Sequence, residues 1–292
     1  MNGLLIVDKP AGPTSHDIVY KVRKWSNERR IGHAGTLDPM ATGVLVLCIG
    51  PATRLAEYLL NGDKRYRAVV RLGQTTDTYD AQGRILDSQP VDCTPDQIES
   101  ALAAFRGAIE QTPPAFSAIQ VNGQRAYDLA RRGQAPDLKP RAITIHSLTL
   151  VRWSAPEVTL EVACSAGTYI RSLAHDLGQA LGCGAHLAAL TRTVASGFTL
   201  EEAHSLDEIE AAFKYGRGID LLRPADEALA DWPAVRLTEA QAERVSHGNP
   251  VPLAESAAGL GRAYDPQGRL IAIVEADVAA RQWKPIKVLT TV

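Results

Sequence analysis

Three stretches alternate apolar and polar side chains at the two-residue period of a strand and are rich in β-branched residues: YRAVVRLG from Tyr66, AITIHSLTLVRW from Ala142 and EVTLEVACS from Glu157. Such alternation sends one face into a core and the other toward water, which favours an antiparallel sheet covered on one side. The cover must come from elsewhere in the chain, and helix signals supply it. Thr14 with Asp17 reads as a capping box leading into IVYKVRKW, with Ile18, Val22 and Trp25 apolar. Thr94, Pro95 and Gln97 open QIESALAAF, where proline at the first helical position costs little and Gly107 is the stop. Ser205 with Glu208 opens another helix, and Leu4 to Val7 read as a short buried strand. The fold class is α+β, with a central mixed, mainly antiparallel sheet flanked by helices.

At 292 residues and roughly 150 residues per domain, the chain has room for two domains, or one with an appendage. LLRPADEALADWPAV, from Leu221 to Val235, carries two prolines and three acidic residues and reads as the boundary. The expected division is 1–230 and 231–292. The tail holds a helix from Thr238 to His247, with Gln241 at the box position and Gly248 as stop, and short strands around GRAYD, RLIAIVEADV and KPIKVL. A β-rich unit that small is marginal alone and is expected to pack against the body.

No apolar run approaches the roughly 18 residues of a membrane helix, and MNGLLIVDKP meets a charge and a proline too early for an export signal. Cysteines 48, 93, 164 and 183 form no Cys-x-x-Cys pair, so neither structural zinc nor a disulfide framework is expected, and a reducing cytoplasm fits best. A net charge of −2 argues against general coating of nucleic acid. The distribution is more telling: Lys21, Arg23, Lys24, Arg29 and Arg30 form one basic cluster, Lys64, Arg65, Arg67 and Arg71 a second, and Arg125, Arg131, Arg132 and Lys139 a third. Any one of them is also what a solvated face looks like, but three together point toward RNA.

The most unusual segment is RIGHAGTLDPMATGVLVLCIGPATR, from Arg30 to Arg54. It has no Gly-Lys-Ser/Thr, and its glycines do not follow the spacing of a dinucleotide turn. It reads as a glycine-rich loop holding His33 and Asp38, followed by an apolar strand or helix from Val44 to Ile49. Leu-Asp-Pro is common turn chemistry, so a turn role for Asp38 stands beside a ligand-facing one. His33 lacks the further clustered ligand a metal site needs.

Those residues carry a resemblance. KPAGPTS near the start, GHAGTLDPMATGVL with its trailing GPATR, the KRY of Lys64 to Tyr66, GTYIRSLAHDLG from Gly167 and LTRTVASGF from Leu190 occur in that order, and the chain resembles the TruB family of bacterial tRNA pseudouridine-55 synthases. The likeness extends through middle segments such as FSAIQVNGQRAYDLARRG and, most loosely, to a small C-terminal module of the PUA type. Thr191 departs from the second arginine usual in the family, which bears on a phosphate contact there.

The resemblance implies isomerisation of one uridine in the T loop of tRNA, by base flipping, glycosidic cleavage and re-attachment through carbon 5, with no cofactor and no metal. Asp38 matches the catalytic carboxylate. Arg171 matches its partner, expected to keep Asp38 ionised and lower its pKa. Tyr66 matches the aromatic that stacks on the target base, Leu190 an apolar pocket wall, and His33 the histidine that enters the T loop. Tyr169 is expected to orient the arginine and the base, and Lys9 with Pro10 to brace the loop. An insertion at about 117–140, with Arg131 and Arg132, is expected to grip the RNA, and the tail to touch the acceptor end. The implied partner is tRNA, at its T arm and elbow, bound by a cytoplasmic monomer with no obligatory protein partner and no membrane contact. Whether Asp38 attacks the base, attacks the sugar or abstracts a sugar proton stays open. Two rival readings are a guide-dependent rRNA pseudouridine synthase and a non-catalytic tRNA-folding chaperone.

Overall fold

The computed structural model describes residues 1–117, 119–121, 123–134, 137–253 and 258–289. The strands Lys64–Leu72 and Glu157–Cys164 are antiparallel neighbours with alternating burial, as their two-residue pattern dictates. They sit inside a nine-stranded sheet whose main path runs Gly3–Lys9, Thr42–Ile49, Ala185–Ala195, Lys64–Leu72, Glu157–Cys164, Arg141–Ser154, Gly107–Gln111. Along that path only Thr42–Ile49 against Ala185–Ala195 is parallel, through Thr191 opposite Thr42 and Arg192 opposite Gly43.

The sheet forks at this parallel contact. Beyond those two pairs, the edge of Thr42–Ile49 is taken by Ile31–His33, antiparallel, from His33 opposite Leu47 to Ile31 opposite Ile49. Residues 34–41, which contain Asp38, join Ile31–His33 to Thr42–Ile49, so the loop leaves the sheet at the fork, where Ile31–His33 and Ala185–Ala195 share one edge of Thr42–Ile49.

Burial explains why some strands alternate and others read as unbroken apolar runs. On Gly3–Lys9 and Thr42–Ile49, Leu5, Val7, Leu45, Leu47 and Ile49 join one core with helix residues Ile18, Val22 and Ile209. Leu4, Ile6, Val44, Val46 and Cys48 join a second, with Leu55, Leu59, Leu229, Ile273 and Leu289. Covered on both faces, these strands carry unbroken apolar runs, Leu4 to Val7 and Val44 to Ile49. The Val44–Ile49 run, readable as strand or helix, is a strand for this reason.

The expected capping boxes all form: Thr14 with Asp17, Thr94 with Gln97, Ser205 with Glu208 and Thr238 with Gln241. The helix Ile170–Ala180 starts differently. Its N-cap, Tyr169, offers no side-chain cap, and the Gln111 amide spans the residue instead, its Oε1 accepting from the Tyr169 N–H at 2.8 Å and its Nε2 donating to the Tyr169 carbonyl at 3.0 Å. Ser172 Oγ donates to the Thr112 carbonyl at 2.8 Å. The sheet edge thereby fixes the first turn of this helix.

The tail folds as a five-stranded sheet, in the order Ala234–Arg236, Leu260–Tyr264, Leu270–Asp277, Gln282–Val288, Val251–Pro252. The helix Glu239–Ser246 supplies Val245 to its core beside Ile271, Val274 and Trp283. It leans on the body as its small size demands. Ile273 and Leu289 belong to the body's second core, Trp232 meets the Tyr58 ring edge-on at 5.2 Å, and Lys287 pairs with Glu57. Among the described residues no helix is long and apolar enough to cross a membrane.

Candidate active site

The loop of residues 34–41 is held by buried polar side chains from separate elements. Lys9 is fully buried, and its ammonium donates to the carbonyls of Pro10 at 2.9 Å, Pro39 at 3.3 Å and Ala41 at 2.7 Å. Burial pushes its pKa down to about 8, with Asp38 opposing. Ser15 Oγ accepts from the Leu37 N–H at 2.8 Å and lies 3.1 Å from the Leu37 carbonyl, immediately before Asp38. Arg192, 1% exposed, donates from Nε to the Val44 carbonyl at 2.7 Å, from Nη2 to Gly35 at 3.0 Å and from Nη1 to Thr36 at 3.3 Å. Buried donors of this kind are retained only where carbonyls receive them.

Gly43 permits the close approach that places Arg192. Its φ is +96°, and a Cβ there would lie 2.3 Å from the Arg192 carbonyl oxygen. Gly43→Ala is expected to push the two parallel strands apart and cost at least about 2 kcal/mol, from forbidden backbone and overpacking together. A denaturation midpoint equal to that of wild type would show that the approach is not needed.

Asp38 leaves this frame to meet Arg171. Arg171 Nε lies 2.9 Å from Asp38 Oδ2, and Nη2 lies 3.3 Å from Oδ1. The same guanidinium donates to the carbonyls of Phe116 at 3.0 Å and Thr78 at 3.2 Å, and stands 3.6 Å from Asp80 Oδ2. A planar five-donor fork suits such a junction, where an ammonium would serve fewer directions. The Arg171 side chain is 7% exposed and that of Asp38 37%, so the cation is enclosed while the carboxylate reaches an opening.

The expected lowering of the Asp38 pKa is overturned. Loss of water around the carboxyl raises its pKa, Arg171 pulls the other way, and Asp80 adds to the rise. The crevice walls dominate because the guanidinium is shared among several acceptors.

Tyr66 is buried, opposite Arg192 and Val162 in the sheet. Burial pushes its hydroxyl pKa up, Arg192 opposes and Asp38 reinforces. Leu190 is buried opposite Ala68, in the same core as Tyr66 and Leu37. Tyr169 also lies within the field of Arg171 and Asp38, its hydroxyl pKa raised chiefly by burial. His33 ends its strand one residue before the loop, with Nδ1 buried and unpartnered, and burial holds its pKa below the ordinary value. Arg132 is exposed after the helix Ala126–Arg131, and no contact joins it to this constellation among the described residues. The Arg131 side chain lies outside the described residues. Near the same segment a cavity of about 340 Å³ is lined by Pro113, Ile119, Asp137, Lys139 and Arg141.

Sequence reading missed Asp80, Arg192, Gln111 and Ser15. Arg192 had a signal: it is two residues from Leu190 on one strand, so a pocket-wall leucine implies an inward-facing arginine. Asp80 had none beyond turn-like DTYDAQG, because its Oδ1 accepts locally from Thr78 Oγ1 at 2.7 Å and the Gln82 N–H at 3.0 Å, as an ordinary turn aspartate does.

Comparison with known proteins adds the following. Residues 23–170 match the N-terminal domain of TruB family pseudouridylate synthases, 171–230 the tRNA pseudouridylate synthase B C-terminal domain, and 232–290 the C-terminal domain of tRNA pseudouridine synthase II. The chain is 45% identical to tRNA pseudouridine synthase B of Thiobacillus denitrificans over 292 residues, covering 100% of this chain and 97% of that one. It is 45% identical over 279 residues to the Pseudomonas aeruginosa protein of the same name, covering 94% and 92%. Among solved structures, a chain of a Cbf5-Nop10-Gar1 complex superposes with a TM-score of 0.75 at 27% identity, covering 98% of this chain and 83% of that one. A chain of the archaeal box H/ACA sRNP Nop10-Cbf5 complex gives 0.74 at 25% identity, covering 99% and 86%.

Proposed function

The chain belongs to the TruB family of pseudouridylate synthases, and from that premise we propose how its site pseudouridylates tRNA. Full-length relatives named tRNA pseudouridine synthase B support that activity. The substrate position we assign is uridine 55 in the T loop. The observation that carries the assignment of chemistry is Asp38 itself, a carboxylate at the opening of a crevice, gripped from behind by an enclosed arginine.

The reaction is an isomerisation: the bond from N1 to the sugar breaks, the bond from carbon 5 forms, carbon 5 loses a proton and N1 gains one. It needs an anion near the sugar and base, a surface for the flipped base, and an acceptor for the carbon 5 proton. Asp38 is the anion. Tyr66 and Leu190 form the surface, and His33 fills the T loop after extrusion. Tyr66, its hydroxyl pKa raised by burial, enters as a phenol, so the carbon 5 proton leaves to water at the crevice opening and N1 takes its proton from water. Lys9 and Tyr169 hold the loop and Arg171 in place, and Arg131 and Arg132 contribute phosphate contacts. Residues 1–230 act as the catalytic unit and 231–292 as a PUA-like RNA-binding module. The enzyme works as a cytoplasmic monomer, with no cofactor and no obligatory protein partner.

The fold neighbours come from protein complexes, so guide dependence is the reading to test against. Tritium release from a T-arm stem-loop labelled at uridine carbon 5, with purified protein and no guide or partner, is expected to stop at one equivalent per RNA. Absence of release from that stem-loop and from whole tRNA, with RNA still bound, would replace this reading by a guide-dependent or purely RNA-folding role.

A pH dependence follows from the Asp38 environment. The carboxylate must be ionised to act, and its pKa lies above the ordinary value, so the acid limb of the rate profile is expected above the usual carboxylate range. Arg171 opposes that rise. Arg171→Gln is therefore expected to move the limb to still higher pH, read from single-turnover rates across a pH series. An unmoved limb would mean that Arg171 does not set the ionisation of Asp38.

A further inference from the structure

One turn along the helix from Arg171, the imidazole of His175 lies flat against the phenol ring of Tyr79, with centroids 3.8 Å apart and planes 9° from parallel. A four-residue spacing puts two side chains on one helix face, so Arg171 and His175 both address the turn that carries Tyr79. In that turn Tyr79 is flanked by the two residues facing Arg171 Nη1, the Thr78 carbonyl at 3.2 Å and Asp80 Oδ2 at 3.6 Å.

Tyr79 has a φ of +63°, a left-handed backbone that an aromatic residue adopts at a cost. Its carbonyl accepts from the Leu187 N–H at 2.9 Å, which ties the turn to the sheet but does not align it with the helix. The ring stack makes that second connection. His175 Nδ1 is buried with no hydrogen-bond partner, so the imidazole acts here through its face. Burial also favours its neutral form, against the neighbouring Asp176.

We propose that the Tyr79–His175 stack is a positioning device for pseudouridylation: it clamps the 78–80 turn to the Ile170–Ala180 helix, so that Thr78 and Asp80 hold the Arg171 fork at the angle that meets Asp38. The inference rests on Asp38 and Arg171 acting as assigned above. Neither ring is a catalytic residue.

The test compares single-turnover rate and RNA affinity on the T-arm stem-loop for wild type, His175→Ala, His175→Phe and Tyr79→Gly, with thermal melting of each. His175→Ala is expected to lower the rate about tenfold with RNA affinity unchanged, the scale of a slightly misplaced reacting group. His175→Phe keeps a planar face and is expected to restore most of the rate. Tyr79→Gly adopts the left-handed backbone freely, so it should melt no lower than His175→Ala while losing a similar rate. Combining it with His175→Ala should lose little more, because both remove one contact.

An unchanged rate in His175→Ala or Tyr79→Gly, whatever the melting temperature, would reduce the stack to a structural contact. Loss of affinity instead of rate would make it an RNA contact. Failure of His175→Phe to rescue would assign the effect to a ring nitrogen. Inactivity of wild type on both stem-loop and whole tRNA would remove the premise, a result distinct from the other three.

Discussion

Asp38→Asn is expected to lower pseudouridine formation by at least about four orders of magnitude, the scale reached when a group taking part in bond making is removed. The substitution preserves shape, so the loss isolates charge. Arg171 would face an amide with one acceptor oxygen and an NH2 group turned against its own donors, in place of two carboxylate contacts at 2.9 and 3.3 Å. RNA affinity should stay within about threefold of wild type, because phosphate contacts supply most of it.

Stability is expected to move the other way. A carboxyl whose pKa is raised by folding binds its proton more tightly in the native state, so wild-type stability gains as pH falls through the folded pKa and is weakened above it. A neutral isostere escapes that weakening, and Asp38→Asn should melt at or above the wild-type temperature at neutral pH. Single-turnover tritium release, RNA binding and thermal melting on the same preparation check the three parts together. A variant that loses RNA binding and melts early would return Asp38 to a structural turn role.

The second large effect concerns Arg192→Met. Methionine fills much of the arginine's volume but leaves the carbonyls of Val44, Gly35 and Thr36 without a donor inside the protein. Unsatisfied buried acceptors together should cost about 3 kcal/mol, roughly 6–12 °C of melting temperature for a chain of this size. The rate should fall as well, because Gly35 and Thr36 belong to the loop that presents Asp38. Replacing a buried charge by an apolar side chain sometimes stabilises a protein, and that outcome would mean the carbonyls find water. Arg192→Lys, with one ammonium for three separated acceptors, should fall between the two.

The helix starts were legible because a capping box is a four-residue interaction, complete within the sequence that encodes it. Thr14 with Asp17 and Ser205 with Glu208 need nothing distant to form. The alternating strands were legible because their pattern records burial on one face. Val44–Ile49 was not, since apolar residues at every position fit a strand or a helix equally until two covering layers are known. The candidate site was legible through its motifs. Its supports were not: Gln111 at the start of the Arg171 helix and Ser15 behind Leu37 act through single hydrogen bonds to distant backbone, which leave no periodic mark.

Sequence by itself determined the α+β class, the caps, the family and the residues brought forward for chemistry, because each is written in local pattern or motif. Tertiary structure decided the electrostatics. Asp38 and Arg171 are 133 positions apart, and their meeting depends on a sheet fork, a parallel strand contact and Gly43. The rise of the Asp38 pKa, opposite to what its partner alone implies, sums desolvation by several segments against one shared guanidinium. Desolvation depends on how many atoms surround a group in space, and only the folded chain sets that number.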